Sequence, residues 1–234
     1  MTHLTGGERA RYVQAMFGRI APRYDLMNRL MTGGQDIAWR KEVIRRAGLP
    51  PRGRLLDLGT GTGDLAAEAL RQHPEAEVVA ADFTLEMMRV GKAKPDREDL
   101  AWTAADAQRL PFQQGVFDAV VSGFLMRNVG DLTAALREQY RVLRPGGRIV
   151  VLDTTPPPGS PLQPLIRFHL HTVIPALGRL LTGAGEAYEY LPDSTENFLR
   201  AEVFSARLQA VGFRGVRFNP RMFGTVAIYW GIKP

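Results

Sequence analysis

The stretch Leu56-Asp57-Leu58-Gly59-Thr60-Gly61-Thr62-Gly63-Asp64-Leu65 decides the fold of this chain. An apolar run ends at Asp57, three glycines follow at alternate positions, and a helical pattern then begins. Glycine permits positive φ and lets a ligand touch the backbone, and the N-terminus of a following helix offers unpaired N–H groups. The stretch therefore predicts a strand, a tight turn and a helix start that form a cofactor pocket. The alternative is a glycine-rich turn that binds nothing.

The glycine spacing separates this loop from the dinucleotide fingerprint. That fingerprint reads G-x-G-x-x-G and would place its third glycine where Asp64 stands. The pattern here is D-x-G-x-G-x-G, which resembles the S-adenosylmethionine loop of class I methyltransferases. The resemblance implies a set of cofactor-binding residues in the loop, namely Asp57, Gly59, Gly61, Thr62 and Gly63.

Composition narrows the class of protein. The chain has 234 residues, of which 45% are hydrophobic, and this suits one domain with a substantial core. It has no cysteine, which excludes disulfides, thiolate zinc sites and cysteine nucleophiles. We find no signal peptide and no apolar run of transmembrane length, so we expect a cytoplasmic protein. The net charge of +6 is scattered along the chain, and we interpret it as a basic surface rather than a nucleic-acid site.

Apolar segments alternate with helical patterns through the chain. Strands are predicted over residues 54–58, 78–82, 101–105, 117–122, 147–153, 215–222 and 224–232. Helices are predicted over 11–29 with an interruption at Pro22, and over 36–48, 64–73, 85–93, 131–143 and 196–211. Strands separated by helices indicate βαβ units and a parallel sheet. The order resembles the α/β fold of class I methyltransferases, a Rossmann-like sheet of seven strands whose last strand is antiparallel.

Two segments lie outside that alternation. Residues 1–50 are predicted to form an N-terminal helical cap, which precedes a cofactor-binding domain over 51–234. Residues 155–198 are an insertion with an apolar, weakly cationic helical part, and this composition predicts a lid over a hydrophobic tunnel. A cationic amphipathic segment can also lie on anionic lipid, which would place the protein at the inner face of the membrane. The sequence leaves both interpretations open.

Further motifs narrow the resemblance to one family. Tyr24-Asp25-Leu26-Met27-Asn28, with Trp39 downstream, is similar to an N-terminal signature of the quinone C-methyltransferases that make menaquinone and ubiquinone. The segment G-F-L-M-R-N-V over 123–129 resembles the family's F-G-L-R-N-V segment, and R-V-L-R-P-G-G over 141–147 resembles its R-V-L-K-P-G-G segment. Asp36 stands where the family often has His, so any role of that histidine does not carry over.

The resemblance implies a reaction and its chemistry. It implies transfer of a methyl group from S-adenosylmethionine to a ring carbon of a polyprenyl hydroquinone, converting demethylmenaquinol to menaquinol. Because the sulfonium is already electrophilic, we expect no metal. The resemblance points to Tyr24, Arg127 and Asn128 around deprotonation of the phenol. Arginine stays protonated, so Arg127 would stabilise the phenolate, whereas Tyr24 and Asn128 would position a water molecule.

Residues after other predicted strands complete the expected cofactor site. Asp82 ends the second strand, where a carboxylate can accept hydrogen bonds from both ribose hydroxyls. Similar enzymes place an acid such as Asp106, with the next N–H at Ala107, against adenine, and Ser122 would lie near the sulfonium. Each residue also has a structural alternative: a surface acid, an Asx-turn residue, or a small residue at a strand end. For Arg127 that alternative is a structural salt bridge.

Other functions remain open at this point. The closest is the equivalent methylation of 2-polyprenyl-6-methoxy-1,4-benzoquinol in ubiquinone synthesis. An RNA methyltransferase is suggested by the sequence pI near 10, but no Asn-Pro-Pro-Tyr-like motif supports it. A nicotinamide-binding reductase or a nucleoside-binding module is a third class. We therefore expect a polyprenyl quinol as partner and no nucleic acid, and the sequence does not predict the oligomeric state.

Overall fold

Seven strands form one mixed sheet. They are β1 Arg54–Leu58, β2 Glu77–Asp82, β3 Ala101–Ala104, β4 Phe117–Gly123, β5 Leu143–Thr154, β6 Arg214–Arg221 and β7 Val226–Ile232. Their order in the sheet is β3-β2-β1-β4-β5-β7-β6. The first five strands are parallel, whereas β7 runs antiparallel to both of its neighbours. The predicted seven-strand sheet with an antiparallel last strand is confirmed.

The computed structural model describes residues 6–156, 159, 163–176 and 194–234. Its helices are α1 Gly6–Ile20, α2 Tyr24–Thr32, α3 Gln35–Ala47, α4 Asp64–Gln72, α5 Leu85–Lys92, α6 Leu132–Val142, α7 Gln163–Phe168 and α8 Ala201–Val211. The predicted interruption at Pro22 lies in the short turn Ala21–Arg23, between α1 and α2. Asp131 caps α6, because its side chain accepts a hydrogen bond from the Ala134 N–H.

Helices cover both faces of the sheet. On one face, Trp39, Val43 and Ile44 of α3 pack with Leu55 of β1 and Val150 of β5. On the other face, α6 and α8 pack against the alternate residues of the same strands, such as Leu56, Val120 and Val151. The central strands are therefore buried on both sides, which explains why they are continuous apolar runs in the sequence.

The strand β5 begins earlier than its sequence pattern predicts. The pattern starts at residue 147, but Leu143 already pairs with Phe117 of β4. The register then shifts, and pairing continues from Arg148 opposite Ala119. The Pro-Gly-Gly segment that predicts a turn is thus an irregularity inside a strand, which sequence periodicity does not reveal.

The described part of the insertion packs on the N-terminal helices. Helix α7 continues as a π-helical turn over His169–Val173. Ile166 and Ile174 are buried in a cluster with Met16, Ile20 and Met27 of α1 and α2. The rest of the predicted lid, residues 157–158, 160–162 and 177–193, lies outside the described residues. None of the helices within the described ranges combines the length and the apolar character needed to cross a bilayer.

Candidate active site

A cleft opens where the parallel strands end. Ligands of open α/β sheets bind in this position, beyond the carboxyl ends of the strands. Five of the residues predicted to bind the cofactor line this cleft, together with two residues predicted to be catalytic. They are Gly59, Gly61, Asp82, Asp106 and Ala107, with Tyr24 and Asn128.

The three glycines of the loop have different neighbours. All three have positive φ, at 68° for Gly59, 59° for Gly61 and 83° for Gly63. A Cβ on Gly63 would lie 2.8 Å from the Trp102 ring, so this glycine allows close packing of the loop on a side chain rather than access to the cleft. A Cβ on Gly91 of α5 would overlap the same ring.

Asp57 stabilises the glycine loop through buried hydrogen bonds. Its Oδ2 accepts hydrogen bonds from Thr60 Oγ1 at 2.6 Å and from the Ala66 N–H at 3.0 Å, which joins the turn to the first turn of α4. Burial raises the pKa of Asp57 to about 7, although these two hydrogen bonds act in the opposite direction. Asp57 and Ser122 are wholly buried, and neither lines the cleft.

The carboxylate of Asp82 is fixed at the cleft wall. Its Oδ2 accepts a hydrogen bond from the Gly61 N–H at 2.7 Å, and its Oδ1 accepts one from the Thr84 N–H at 2.7 Å. Burial raises its pKa, and these backbone hydrogen bonds oppose the rise. Because a carboxylate oxygen can accept two hydrogen bonds, both oxygens retain capacity for a ligand. The next acid along this edge, Asp106, accepts a hydrogen bond from the Gln108 N–H at 2.9 Å.

A network of charged side chains lies beside the glycine loop. Thr62 Oγ1 donates a hydrogen bond to Asp25 at 2.7 Å and accepts one from Lys94 at 2.9 Å. Asp64 lies 3.0 Å from Lys94, 3.2 Å from Arg97 and 3.6 Å from Arg40. Burial acts to raise the pKa of Asp64, but these cations outweigh it and hold the pKa below its usual value.

A small pocket connects this network to the cleft. It is lined by Tyr24, Arg40, Gly61, Thr62 and Asp64. Sequence reasoning did not identify Arg40 or Lys94 as site residues. Arg40 directly follows Trp39 of the N-terminal signature, and this position was the available signal.

The cleft adjoins a further pocket at Phe124, and we call it the acceptor pocket. That pocket is lined by Asn28, Met31, Arg127, Thr154, Ile174, Thr195, Met222, Thr225 and Val226, with Phe124 and Thr32. Phe124 lines both cavities and has a positive φ of 59°, which is costly for an aromatic residue. Its N–H donates a hydrogen bond to the Leu152 carbonyl at 2.7 Å, which ties this strained residue to β5.

Arg127 forms a buried ion pair in the acceptor pocket. Its Nη1 lies 2.7 Å from Oδ1 of Asp153, which is fully buried at the end of β5. The same carboxylate accepts a hydrogen bond from the Thr154 N–H at 2.8 Å. The Arg127 guanidinium also lies 5.2 Å from the centre of the Phe124 ring. The salt bridge considered as an alternative for Arg127 is therefore present, and it holds the cation at the pocket wall.

The three residues predicted to be catalytic do not line one common cavity. Tyr24 lines the cleft and the small pocket, and Asn128 lines the cleft, with its Nδ2 donating a hydrogen bond to the Phe124 carbonyl at 3.1 Å. Arg127 lines the acceptor pocket on the other side of Phe124. Burial raises the pKa of Tyr24, and the nearby Asn28 amide and the cations Arg127 and Arg40 oppose the rise. The Tyr24 phenol is therefore neutral near pH 7.

Solved structures match the fold at low sequence identity. A SAM-dependent methyltransferase from Thermotoga maritima is 16% identical, with a TM-score of 0.63, and the match covers 94% of this chain and 99% of that one. A phosphoethanolamine N-methyltransferase 2 from Haemonchus contortus, solved with S-adenosylhomocysteine, is 17% identical with a TM-score of 0.61. That match covers 84% of this chain and 52% of the Haemonchus chain, so this chain spans about half its length. These likenesses concern the fold.

Curated relatives match nearly the whole chain. A ubiquinone/menaquinone biosynthesis C-methyltransferase UbiE from Desulfotalea psychrophila is 45% identical, covering 94% of this chain and 90% of that protein. A demethylmenaquinone methyltransferase from Thermus thermophilus is also 45% identical, covering 94% and 100%. The model of the ubiE/COQ5 methyltransferase family matches residues 5–233. With both the family model and these relatives spanning the fold and the site, this chain belongs to the ubiE/COQ5 methyltransferase family.

Proposed function

We propose that this chain transfers a methyl group from S-adenosylmethionine to a ring carbon of demethylmenaquinol, forming menaquinol. The observation that carries the proposal is the pair of cavities that share Phe124 as a wall, one at the glycine loop and one around a buried arginine. A methyltransferase needs two adjoining sites, because the methyl donor and the acceptor bind separately but their reacting atoms must meet in line. Family membership and relatives named demethylmenaquinone methyltransferase support this choice of acceptor.

The cleft residues suit the adenosyl part of S-adenosylmethionine. Asp82 would accept hydrogen bonds from the ribose hydroxyls with the capacity that Gly61 and Thr84 leave on its two oxygens. Asp106 would receive the adenine amino group, and the Ala107 N–H would meet the ring. Gly59 and Gly61 let the cofactor approach the backbone. Asp57, Gly63 and Ser122 would act indirectly, since they shape the loop and the strand end from positions outside the cleft.

The charged network suits the methionine end of the cofactor. That end carries a carboxylate and an ammonium group, which require a cation and an acid close together. Arg40 and Asp64 supply both charges in the small pocket beside Thr62. Lys94 and Arg97 pair with Asp64 and do not line the small pocket, so they would act by fixing the position of that acid.

The residues around Phe124 suit deprotonation of a phenol. The pKa of a free phenol is about 10, so the site must favour the phenolate for the adjacent ring carbon to become nucleophilic. Arg127 would stabilise the phenolate, because its charge is permanent and Asp153 fixes its position. Tyr24 and Asn128 would orient a water that accepts the proton. The ring carbon would then bond to the methyl group as the methyl–sulfur bond breaks and a neutral thioether is left. The ring hydrogen would leave as a proton to water, which restores aromaticity.

We also propose that the acceptor reaches the pocket from a membrane surface. Leu26 and Leu30 of α2, Phe168 of α7 and Phe223 are all exposed, at 52%, 44%, 57% and 71%. These segments also carry walls of the acceptor pocket, since Met31 follows Leu30 and Met222 precedes Phe223. The net charge of +6 favours anionic lipid as the surface.

The proposed function is tested by incubating the purified chain with S-adenosylmethionine and reduced acceptors. We expect methylation of demethylmenaquinol and a lower kcat/KM with 2-polyprenyl-6-methoxy-1,4-benzoquinol. Menaquinone should also disappear from cells that lack the gene and return on complementation. Methylation of RNA in place of either quinol would contradict the proposal.

A further inference from the structure

The acceptor pocket contains polar atoms that the described protein leaves without a partner. Thr154 Oγ1 and Thr195 Oγ1 are buried and make no hydrogen bond within the described part of the chain. Both residues line this one pocket, and their exposed fractions are 7% and 1%. Buried polar groups in folded proteins nearly always have a partner, so two orphans in one cavity require an explanation.

The two orphan hydroxyls belong to segments that the fold brings together. Thr154 ends β5, and Thr195 lies near the end of the insertion. The segment after Thr195 is tied to the end of β5, because Thr155 Oγ1 donates a hydrogen bond to the Leu199 carbonyl at 3.3 Å. Separate segments that present polar atoms to one cavity are typical of a binding site rather than of a local packing defect.

Other hydroxyls in the same pocket have partners. Thr225 Oγ1 donates a hydrogen bond to the Met222 carbonyl at 2.8 Å. Thr32 Oγ1 donates one to the Asn28 carbonyl at 2.8 Å. The pocket therefore satisfies its threonines where backbone acceptors are within reach, and Thr154 and Thr195 are the exceptions among its described threonines.

The other residues that line the pocket indicate the chemistry of its ligand. Met31, Phe124, Ile174, Met222 and Val226 are apolar, and Arg127 supplies a cation. A flat aromatic ring with one oxygen for the cation and a second oxygen for the hydroxyls matches this distribution. We propose that Thr154 and Thr195 bind the second ring oxygen of the acceptor, the one para to the oxygen that Arg127 stabilises. This inference rests on the proposed function and adds the residues that recognise the second oxygen of the 1,4-dihydroxylated ring.

The assignment makes Thr154 and Thr195 specificity-determining residues. An acceptor with both oxygens satisfies the orphan hydroxyls, whereas a monophenol leaves them buried and unpaired. A site built to hydrogen-bond a substrate hydroxyl discriminates strongly against the analogue that lacks it. The two threonines should therefore distinguish hydroquinones from monophenols and leave cofactor affinity unchanged.

The test compares two acceptors with six variants. One acceptor is short-tailed demethylmenaquinol, and the other is a prenylated 1-naphthol that keeps only the hydroxyl beside the methylated carbon. We expect Thr154→Val/Thr195→Val to lower kcat/KM for the hydroquinone by about tenfold or more and to leave kcat/KM for the naphthol unchanged. Thr154→Ser and Thr195→Ser keep the hydroxyl and should retain wild-type discrimination. Ser205→Ala removes a buried orphan hydroxyl outside the pocket and should change neither value.

The outcomes separate this inference from the proposed function. Equal losses with both acceptors, or no loss with either, would overturn the role of the threonines while methyl transfer stands. A wild-type protein that methylates neither acceptor would overturn the proposed function and this inference with it. Each single Thr→Val variant is measured with its thermal midpoint and its affinity for S-adenosylmethionine, so the test does not depend on folding of the double variant. A Thr→Val variant that also loses cofactor affinity would contradict the assignment.

Discussion

The cleft and the acceptor pocket share Phe124 but differ in how their polar groups are satisfied. Both are assembled from segments distant in sequence. The acids of the cleft are already fixed by the protein's own backbone, as with Asp82 at Gly61 and Thr84. In the acceptor pocket, the hydroxyls of Thr154 and Thr195 have no partner among the described residues. The difference teaches that one side is preformed for a constant ligand, whereas the other is completed by its ligand.

Removal of Arg127 should cause the largest loss of stability and turnover, and this loss should arise on the acceptor side. Arg127→Ala leaves Asp153 buried without its cation, and breaking such a pair costs about 3–5 kcal/mol of unfolding free energy. We also expect turnover to fall by about 10²–10³-fold, since a group that stabilises developing charge is lost. Affinity for S-adenosylmethionine, measured by calorimetry, should stay near wild type because Arg127 lines the acceptor side.

A double variant separates the structural role of Arg127 from its chemical one. Arg127→Met/Asp153→Leu replaces the buried pair by apolar side chains and should recover most of the lost stability in chemical denaturation. Turnover should stay low. Recovery of stability and turnover together would show that the salt bridge is the whole contribution of Arg127.

Substitution of Asp82 should affect only the cleft, by weakening cofactor binding. Asp82→Ala removes the proposed ribose contact, and we expect a loss of about 1.5–3 kcal/mol in cofactor affinity. The acceptor KM at saturating cofactor should remain unchanged. Glu77→Ala, at the opposite end of the same strand, is the matched control. Calorimetry that gives wild-type affinity for Asp82→Ala would exclude the ribose assignment.

The smallest expected effect is on membrane binding, through Phe223 beside the acceptor pocket. Phe223 is exposed and has a positive φ of 57°, so Phe223→Asn keeps a conformation that asparagine tolerates and removes the ring. Binding to anionic vesicles should weaken by about fivefold, equivalent to about 1 kcal/mol of apolar burial. Ile232→Asn removes an exposed apolar side chain at the far end of β7 and should leave binding unchanged. Equal sedimentation of the two variants would contradict the proposed orientation.

The sequence predicted the cleft better than the acceptor pocket, for physical reasons. The loop over 57–63 is local, so glycine spacing and strand alternation were enough to predict its backbone. The pairing of Arg127 with Asp153 joins residues that are 26 positions apart, and periodicity carries no information about such a contact. Gly63 was predicted to bind the cofactor because of its place in the motif, but its neighbour is Trp102.

The left-handed conformation of Phe124 was not predictable from its residue type. Phenylalanine normally avoids positive φ, and the surrounding contacts with Leu152 and Asn128 impose it. Likewise, Thr154 and Thr195 belong to no recognisable sequence motif, because they come together only when the end of the insertion packs against the sheet. Sequence patterns therefore reveal elements and local turns, while the acceptor pocket depends on tertiary placement.

The packing of the Trp102 ring against Gly63 and Gly91 has an evolutionary consequence. A side chain at either glycine would overlap the ring, and at Gly91 it would also come within 2.8 Å of the Thr62 carbonyl of the loop. The three positions therefore constrain one another: a smaller residue at position 102 would remove the overlap at Gly63 but not the strain of its positive φ, and it would not free Gly91 from the Thr62 carbonyl. Substitutions are more readily tolerated in the acceptor pocket, because side chains rather than backbone form its walls. Divergence among descendants of this fold should accumulate there first, changing which ring is methylated while the methyl donor stays the same.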